Sequence, residues 1–432
     1  MSLSIPIYDK PDQNRWPEIA RRPDAPATNV AEIVRDIMQK VENKGDEAVK
    51  EYTSQFDGIT LEHLWVKPEE IESARAELDD ALKAAIDQAK ENIHRFHLEQ
   101  LQNTPSVETM PGVVCWRETR AIERVGLYIP GGTAPLFSTI LMLAIPAQIA
   151  GCQEVVICTP PQKHGKVHPA MRYAALISGV SKIYKAGGAQ AIAAMTYGTA
   201  TMPPVQKIFG PGNHFVTEAK LSAQRRGVAI DMPAGPSEVL VLADSSADPN
   251  FVAADLISQA EHGVDSQAVL VSTSWTLLQK VQSCIQDQLN DLPRREIAVK
   301  SLANSMMIFL ETTEQAFEFS NLYAPEHLIV SVADPHTYLP LIQNAGSVFV
   351  GNFSPESAGD YASGTNHTLP TDGWASSYSG VSVESFVKKI TFQELTPEGL
   401  LKLAPTVEVM AKAEQLVGHQ RAVEIRRKSL ER

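Results

Sequence analysis

The chain has 432 residues, of which 44% are hydrophobic and 21% are charged. This length predicts two or three domains, and the composition is typical of a globular protein with a sizeable core, not of a disordered chain. The 51 acidic residues outnumber the 38 basic ones, which gives a formal charge of −13. Because this excess of acid repels polyanions, and the sequence has no basic run of the kind that neutralises phosphates, we expect no nucleic-acid partner.

The sequence predicts a cytoplasmic protein with no membrane contact. The most apolar run, residues 135–151, is too short and too interrupted by proline and polar residues to cross a bilayer. The N-terminus, MSLSIPIYDKPDQNRW, lacks the basic region and apolar core of a secretory signal. The four cysteines show no C-x-x-C pair and no framework spacing, which is typical of free thiols in a reducing compartment.

The first hundred or so residues are predicted to be helical. Apolar residues from Val30 to Val41 follow the spacing of one helix face, with Asn29 as the candidate N-cap. Residues 77–101 are typical of a long charged helix, on which His94 and His97 share a face. We interpret these two histidines as part of a solvated face and not as a metal-binding pair.

Short β-branched runs alternate with helical patterns from about Arg124, and the alternation recurs from about Asp244. The predicted helices of the second run include residues 313–323 and residues 337–346. Such alternation indicates βαβ units and a parallel sheet. The predicted fold class is α/β, with two doubly wound Rossmann-like blocks, a helical N-terminal segment and a C-terminal helical tail. The predicted boundaries are 1–123 for the helical N-terminal region, 124–243 for the first block, 244–383 for the second block and 384–432 for the tail.

Three glycine-bearing turns in the first block are candidates for ligand binding, because ligands collect outside the carboxyl ends of parallel strands. The turns are YIPGGTAPLFST, AGGAQAIAAM and FGPGNHFVTEAK, and they carry Tyr128, Gln190 and Asn213. None matches a dinucleotide or P-loop consensus, so each alone is equally well explained as a tight turn that needs glycine. Together they favour one extended ligand.

Proton-transfer and metal chemistry would depend on a few histidines. His262 lies three residues after Gln259 at a predicted helix end, so the two share a face, but a glutamine oxygen alone is a weak metal signal. Glu326 and His327 form a pair suited to proton transfer, provided that the chain turns at Pro325. An exposed or salt-bridged pair is the alternative interpretation.

A cysteine nucleophile is the other route to an aldehyde oxidation. Cys152 and Cys158 flank or occupy a predicted buried strand, Cys284 lies within a helix, and Cys115 has no histidine close in sequence. We interpret all four as inert thiols.

Seven motifs closely resemble those of histidinol dehydrogenases: GLYIPGGTAPLFSTILMLAIPA, GGAQAIAA, KIFGPGN, DMPAGPSEVLV, SQAEHGVDSQ, APEHL and SPESAGDYASGTNHTLP. The resemblance extends from about residue 25 to about residue 425. It implies an NAD-dependent, zinc-binding enzyme that oxidises L-histidinol to L-histidinal and then to L-histidine, the last step of histidine biosynthesis. It also implies a homodimer with shared active sites, in which the tail crosses to the neighbouring subunit.

The same resemblance implies roles for individual residues. Glu326 and His327 would be the catalytic pair. One Zn²⁺ per subunit would be held by Gln259, His262, Asp360 and His419. Substrate would contact Ser237, Gln259, His262, His327, Asp360, His367, Glu414 and His419. NAD would contact Tyr128, Gln190 and Asn213.

The stretch PESAGDYASGTNHTLP, residues 355–370, follows a run that is predicted to be a buried strand, residues 346–351. Its small side chains would let the backbone pass close to metal and substrate, so we expect it to be ordered. The mixed nitrogen and oxygen ligands implied for the metal suit Zn²⁺ and would also accept Mn²⁺ or Co²⁺. Two rival classes, a zinc hydrolase and a non-catalytic metabolite- or metal-binding protein, are distinguished by whether histidinol and NAD⁺ yield NADH.

Overall fold

A computed structural model describes residues 5–22, 29–101, 105–131, 135–233 and 235–431. The chain forms two compact units. The first comprises Met1–Gln100 and Ile122–Phe386, and the second comprises Leu101–Ala121 and Val387–Arg432. Within the described residues, no helix is both long and apolar enough to cross a membrane. The four-part division drawn from the sequence stays a prediction.

The first 121 residues are mainly helical, as predicted, but they also contribute three strands. Their elements are β1 (Ile7–Asp9), α1 (Trp16–Ile19), α2 (Val30–Lys44), α3 (Asp46–Asp57), α4 (Pro68–Glu77), α5 (Asp80–Leu98), β2 (Val107–Met110) and β3 (Val113–Ala121). Asn29 occupies the N-cap of α2, but its side chain bonds Glu32 and caps no backbone N–H. The interpretation of His97 as solvated is wrong, because it is fully buried and its Nδ1–H donates to the carbonyl of Ile93 at 2.9 Å.

The first α/β block contains five parallel strands, which confirms the predicted alternation. Its elements are β4 (Arg124–Tyr128), α6 (Phe137–Ala150), β5 (Glu154–Thr159), α7 (Pro169–Ile177), β6 (Lys182–Lys185), α8 (Gly188–Tyr197), β7 (Lys207–Phe209), α9 (His214–Arg225) and β8 (Ala229–Ile230). The strand order is β6-β5-β4-β7-β8. Alternate residues of β5 pack into separate cores on the two faces of the sheet, Ile157 into one and Val156 into the other. The block is therefore doubly wound.

The second block repeats this plan. Its elements are β9 (Glu238–Ala243), α10 (Pro249–Ala260), β10 (Gln267–Ser272), α11 (Trp275–Gln288), α12 (Arg295–Ala303), β11 (Met306–Phe309), α13 (Thr313–Tyr323), β12 (His327–Ser331), α14 (Pro335–Tyr338), β13 (Ser347–Val350) and α15 (Glu356–Tyr361). The strand order is β1-β11-β10-β9-β12-β13, all parallel. Leaving β1 aside, both sheets have the same order when their own strands are counted along the chain. Val241 and Leu242 of β9 again pack into separate cores.

Two local predictions in the second block are wrong. The predicted helix over residues 337–346 is reduced to α14 and one 3-10 turn, Leu339–Leu341. Proline at position 340 lacks an N–H and cannot continue a longer α-helix. The strand at residues 347–350 is not buried throughout, because β13 is the edge of its sheet and only Phe349 is buried.

The second unit is an antiparallel sheet with two helices, so the tail is not helical throughout as predicted. Its remaining elements are β14 (Val387–Leu395), α16 (Pro397–Ala413) and α17 (Val417–Leu430). The strands have the order β14-β3-β2, and Trp116 of β3 stacks on Phe392 of β14 with ring centroids 5.4 Å apart. The β-branched and aromatic residues of VKKITF favour a strand, and the prediction of a helical tail did not take this signal into account.

Candidate active site

The three predicted ligand turns of the first block line one cleft of about 690 Å³. Tyr128 ends β4, Gln190 lies in the first turn of α8, and Asn213 is the N-cap of α9. The Asn213 side-chain oxygen accepts a hydrogen bond from the N–H of Val216 at 3.1 Å, so this residue also fixes the start of its helix. The prediction that the turns face one ligand therefore has a geometric basis, since all three residues border the same space.

The described lining of the cleft presents hydrogen-bonding oxygens and no basic side chain. The Tyr128 hydroxyl accepts from the N–H of Gly188 at 3.1 Å, and burial raises the pKa of Tyr128 to about 12, so its own proton stays available to a ligand. Gln190 is 1% exposed, and its Oε1 has no hydrogen-bond partner within the described part of the chain. Oδ2 of Asp57 also lacks a hydrogen-bond partner within the described residues, and burial raises the pKa of Asp57. Among the described residues, no lysine or arginine lines the cleft.

A buried ion pair, which was not predicted from the sequence, fixes the third turn. Lys220 pairs with Asp231, and its ammonium donates to the carbonyl of Gly210 at 2.9 Å. Asp231 accepts from the N–H of Gly210 at 2.7 Å. Gly210 has a φ of 120°, and a Cβ there would lie 2.0 Å from the carbonyl oxygen of Tyr128. Only glycine fits this approach of two ligand turns.

Glu326 and His327 are both buried, and the turn that their pairing requires is present. Helix α13 ends at Tyr323, Ala324 adopts a left-handed conformation with φ 50°, and β12 begins at His327. The two side chains approach to 3.6 Å between Glu326 Oε2 and His327 Nδ1. The alternative of an exposed pair is excluded.

Two further carboxylates surround His327. Glu356 Oε1 lies 3.6 Å from its Nδ1, and Asp360 Oδ1 lies 3.5 Å from its Nε2. Glu356 and Asp360 are four residues apart on α15 and therefore share a face. Asp360 and His367 were predicted site residues in this stretch, whereas Glu356 was not, although its four-residue spacing from Asp360 within SPESAGD was the available signal.

The backbone of Glu238 holds both members of the pair. Its N–H donates to Glu326 Oε2 at 2.9 Å, and its carbonyl contacts His327 Nδ1 at 3.3 Å. Because a carbonyl can only accept, Nδ1 carries a proton, and Nε2 is the nitrogen that can act as a base when the ring is neutral. These contacts lie at the amino ends of β9 and β12. The expectation that ligands collect at carboxyl ends thus describes the first block and not this cluster.

Burial and charge act on the cluster in opposite directions. Burial raises the pKa of Glu326 to about 8 and that of Glu356 to about 8. Burial alone would lower the pKa of His327, but Glu356, Glu326 and Asp360 outweigh it and raise the pKa to about 10. Burial would raise the pKa of Asp360, but His327 reverses this effect and lowers it. The site therefore crowds three carboxyl groups around one imidazole, and a bound cation would favour the ionised form of these carboxyls.

The residues around the cluster fit a metal ion. Ligand atoms of His327, Glu356 and Asp360 all lie within 4.8 Å of one another. Gln259 at the end of α10 is fully buried, and both atoms of its side-chain amide lack hydrogen-bond partners within the described residues. His262 is exposed. Desolvation by the surrounding protein lowers the pKa of His262, and this effect outweighs the nearby charge of Asp360, which would raise it. The observed cluster shares Asp360 with the ligand set implied by the resemblance, and its other two members, His327 and Glu356, lie outside that set.

His367 fixes the segment that carries Asp360. Its Nδ1–H donates to the carbonyl of Asp360 at 2.9 Å, and its Nε2 lies 3.1 Å from the hydroxyl of Thr139 on α6. Both ring nitrogens therefore have protein partners. Ser237 directly precedes β9, and its carbonyl accepts from the N–H of Gln267 at 3.2 Å.

Comparison with known proteins gives one consistent result. The chain matches the family model described as histidinol dehydrogenase over residues 20–427. It is 59% identical over 416 residues to the histidinol dehydrogenase of Bacteroides fragilis, covering 96% of this chain and 97% of that protein. It is 56% identical over 420 residues to that of Bacteroides thetaiotaomicron, covering 97% and 98%. The chain belongs to the histidinol dehydrogenase family.

A solved structure supports this assignment. The crystal structure of histidinol dehydrogenase from Elizabethkingia anophelis matches with a TM-score of 0.97 at 52% identity, and 99% of each chain is covered. As a member of the histidinol dehydrogenase family, the protein is an oxidoreductase of histidine biosynthesis. The rival class of zinc hydrolase and that of non-catalytic binding protein are thereby set aside.

Two residues that the histidinol dehydrogenase resemblance places at the site belong to the second unit. Glu414 is the C-cap of α16, and His419 lies in the first turn of α17. Both side chains are exposed. In the first unit, the structure brings together Glu326, His327 and Asp360, with Glu356 in addition.

Two of the cysteines, Cys152 and Cys158, are unsuited to act as nucleophiles, as predicted, and the interpretation of the other two as inert stays a prediction. All four are free thiols, and Cys158 is buried. Burial raises the pKa of Cys152 to about 11 and raises that of Cys158 further. Because the thiolate is the reactive form, these two residues are inert at neutral pH.

Proposed function

We propose that the protein oxidises L-histidinol to L-histidinal and then to L-histidine, using two NAD⁺ in one active site around Glu326 and His327. The observation that carries this proposal is the buried acid-base pair with a fixed histidine tautomer. The net reaction is one alcohol, one water and two NAD⁺ giving one carboxylate, two NADH and three protons. Membership of the histidinol dehydrogenase family supports the choice of substrate.

The first oxidation needs a base for the alcohol proton. Nε2 of the neutral His327 ring takes it, because Nδ1–H is held at the carbonyl of Glu238. The hydride leaves the carbinol carbon for NAD⁺ as the proton leaves its oxygen. The products of this step are the aldehyde, one NADH and protonated His327.

The second oxidation needs water. Glu326 accepts an N–H at Oε2, which leaves Oε1 to take a proton from water as the water oxygen adds to the aldehyde carbon. A pKa of about 8 suits this role near neutral pH. Protonated His327 gives its proton to the aldehyde oxygen as water adds, which yields the gem-diol and leaves the ring neutral again. The gem-diol then loses its remaining hydride to the second NAD⁺, while His327 accepts a hydroxyl proton. No covalent thioester is required.

We propose that Gln259, His262 and Asp360, with His419 from a second copy of the chain, hold one Zn²⁺ per subunit. The unpartnered Gln259 amide and the cluster around Asp360 support a cation there. When bound, the metal supplies a positive charge that positions the imidazole and amine of the substrate and lowers the pKa of neighbouring acids such as His327. Substrate would also contact Ser237, His367 and Glu414.

We propose that NAD⁺ occupies the cleft of the first block against Tyr128, Gln190 and Asn213. Unpartnered acceptors at Gln190 and Asp57 suit the hydroxyls of a ribose. In the four-part division predicted from sequence, residues 124–243 would thus carry the nucleotide, while residues 244–383 would carry metal and catalytic residues.

We propose a cytoplasmic homodimer in which the tail of each chain completes the site of the other. Helices α16 and α17 support this idea, because they expose large apolar side chains that a partner would cover. Val409 is 68% exposed, Met410 59% and Ile425 66%. The free cysteines are consistent with a reducing compartment.

The test is NADH formation on adding L-histidinol and NAD⁺, before and after chelation and after adding Zn²⁺ back. We expect activity that chelation abolishes and Zn²⁺ restores. Absence of NADH in the metal-loaded protein would contradict the proposed oxidation. Full activity in metal-free protein would contradict the role of zinc alone.

A further inference from the structure

A second charged network lies behind the acid-base pair, around the side chain of Glu238. Arg22 donates from Nε to Oε2 of Glu238 at 2.9 Å and from Nη2 to Oε1 at 2.7 Å. Its guanidinium also lies 3.7 Å from the ring centroid of Tyr323 and donates to the Tyr323 carbonyl at 2.6 Å. The Tyr323 hydroxyl donates to Gln267 at 2.7 Å and lies 3.3 Å from Glu238. We call Arg22, Glu238 and Tyr323 the Arg22 brace.

The brace holds the residue at the first position of a central strand. Glu238 begins β9, and its side chain is 2% exposed. A carboxylate buried to this degree requires partners, and a two-pronged arginine is the partner that fixes its orientation most strictly. The side-chain contacts therefore fix the position of the Glu238 backbone.

The backbone of Glu238 makes two contacts that orient the acid-base pair. Its N–H holds Glu326 Oε2 at 2.9 Å, and its carbonyl holds His327 Nδ1 at 3.3 Å. We propose that Arg22 is a positioning residue for catalysis: through Glu238 it sets the carboxylate of Glu326 and the tautomer of His327. This inference rests on the proposed roles of Glu326 and His327.

The inference predicts an effect on turnover and little effect on binding. None of the brace residues lines the cleft of the first block. Loss of the guanidinium would leave the Glu238 carboxylate buried without its main partner, and the Glu238 backbone would shift. Removal of such an outer partner typically costs about 10- to 100-fold in activity, so we expect kcat of Arg22→Ala to fall by about that factor. KM for histidinol and for NAD⁺ should change by less than about threefold, since uniform binding is untouched.

Chemical rescue distinguishes positioning from a structural role. Arg22 is 18% exposed, so solvent reaches its side chain, and added guanidinium at concentrations far below those that unfold the protein can occupy the space left in Arg22→Ala. We expect guanidinium to restore a large part of kcat, urea at the same concentration to restore none, and Arg22→Lys to retain an intermediate kcat because lysine is not two-pronged. We expect Glu238→Gln to lower kcat, and added guanidinium should not restore it, because the neutral amide of glutamine does not attract the guanidinium cation.

Arg172→Ala is the matched control. Arg172 is also largely buried and donates to both oxygens of a glutamate, Glu77, at 3.1 and 2.6 Å, but these residues lie away from the catalytic cluster. We expect this variant to lose thermal stability and to keep the kcat of its folded fraction, with no response to guanidinium.

The outcomes separate this inference from the proposed function. If the wild type forms no NADH from histidinol, the proposed function fails. If the wild type is active and Glu326→Gln and His327→Asn are impaired, but folded Arg22→Ala keeps the wild-type kcat or is not rescued by guanidinium, the inference alone is overturned. If Arg22→Ala does not fold, Arg22→Lys and Tyr323→Phe are measured instead, and an unchanged kcat in both overturns it.

Discussion

The two ring nitrogens of His327 have different surroundings, and this difference gives the residue its direction of action. Nδ1 faces the carbonyl of Glu238 and the carboxylates of Glu326 and Glu356. Nε2 faces Asp360 and has no hydrogen-bond partner within the described residues. A neutral imidazole in this setting keeps its proton on Nδ1 and offers Nε2 to the substrate.

We expect His327→Asn and Glu326→Gln each to lower kcat by about 100- to 10,000-fold, because each removes a proton-transfer group. Both substitutions are close in volume to the original residue, so metal content should stay within about twofold of the wild type. Steady-state kinetics with histidinol and metal analysis of the same samples check the two statements. Near-normal turnover in either variant would remove that residue from the mechanism.

Glu326→Gln also separates the two oxidations. The glutamine cannot take a proton from water, whereas His327 is intact for the alcohol step. We expect the variant to be impaired more strongly, relative to the wild type, when histidinal is supplied directly than when histidinol is supplied. The rate with histidinol is the formation of the first NADH in a single-turnover measurement. Equal impairment of both steps would contradict separate roles for the two residues.

The stability of the metal-free protein should fall as pH rises. Burial raises the pKa of Glu326 from 4.5 to about 8, so between these values the folded protein binds a proton that the unfolded chain has released. His327 acts in the same direction: its folded pKa of about 10 exceeds 6.5, so its stabilising contribution is complete below pH 6.5 and lost toward pH 10. Urea unfolding of chelator-treated protein between about pH 5 and pH 9 measures the slope.

The matched variant for this measurement is Glu326→Gln, which cannot ionise. It should reduce the slope, and at pH 9 it should be more stable than the metal-free wild type. A free energy of unfolding that stays constant or rises with pH in the metal-free wild type would contradict the raised pKa of this carboxyl.

Helix α15 places two acids at the site, and its own position depends on a close contact with β13. A Cβ at Gly359 would lie 2.6 Å from the ring of Phe349. We expect Gly359→Ala to destabilise the fold by about 1–3 kcal/mol and to weaken metal binding, because the helix must move away from the strand. Thermal unfolding and metal titration test this. The double variant Gly359→Ala with Phe349→Leu removes the ring and should recover most of the loss; no recovery would show that the contact is not the cause.

At the scale of elements, the sequence predicted the helices and strands whose pattern of apolar residues is local. Helix α13 matches the prediction over Thr313–Tyr323, because its apolar spacing and its N-cap Thr312 are both local signals. Strand β1 was missed because it has three residues and exists by pairing with β11, about 300 positions away in the sequence. Strand β14 was missed because most of its side chains are exposed, so burial leaves no clear pattern.

Only part of the candidate active site could be predicted from the sequence. Motif resemblance supplied Glu326, His327 and Asp360, which the structure brings together. Glu356 was missed although it lies within a quoted motif, since the resemblance named no role for it. The contacts of the Glu238 backbone could not be predicted, because they depend on how the amino ends of β9 and β12 meet in three dimensions.

At the scale of the whole molecule, the proposed shared sites can be tested with mixed dimers. Glu326→Gln removes a residue of the first unit, and His419→Ala removes one of the second. If each site combines the first unit of one chain with the tail of another, a hybrid dimer has one doubly altered site and one intact site. Half of a random mixture is hybrid, so coexpression should recover about a quarter of the wild-type activity from two impaired variants.

The control mixture pairs Glu326→Gln with His327→Asn, both in the first unit. Every dimer in that mixture has two altered sites, so no recovery is expected. Recovery in the control, or none in the test mixture of folded dimers, would contradict sharing of the tail between chains.

The most direct test of a four-electron oxidation in one active site is the yield of NADH from a limiting amount of L-histidinol. With zinc-loaded protein and excess NAD⁺, complete conversion should give two NADH for each histidinol, with L-histidine as the product and no accumulation of L-histidinal. One NADH for each histidinol with histidinal as the end product, or no NADH at all, would contradict the proposed reaction.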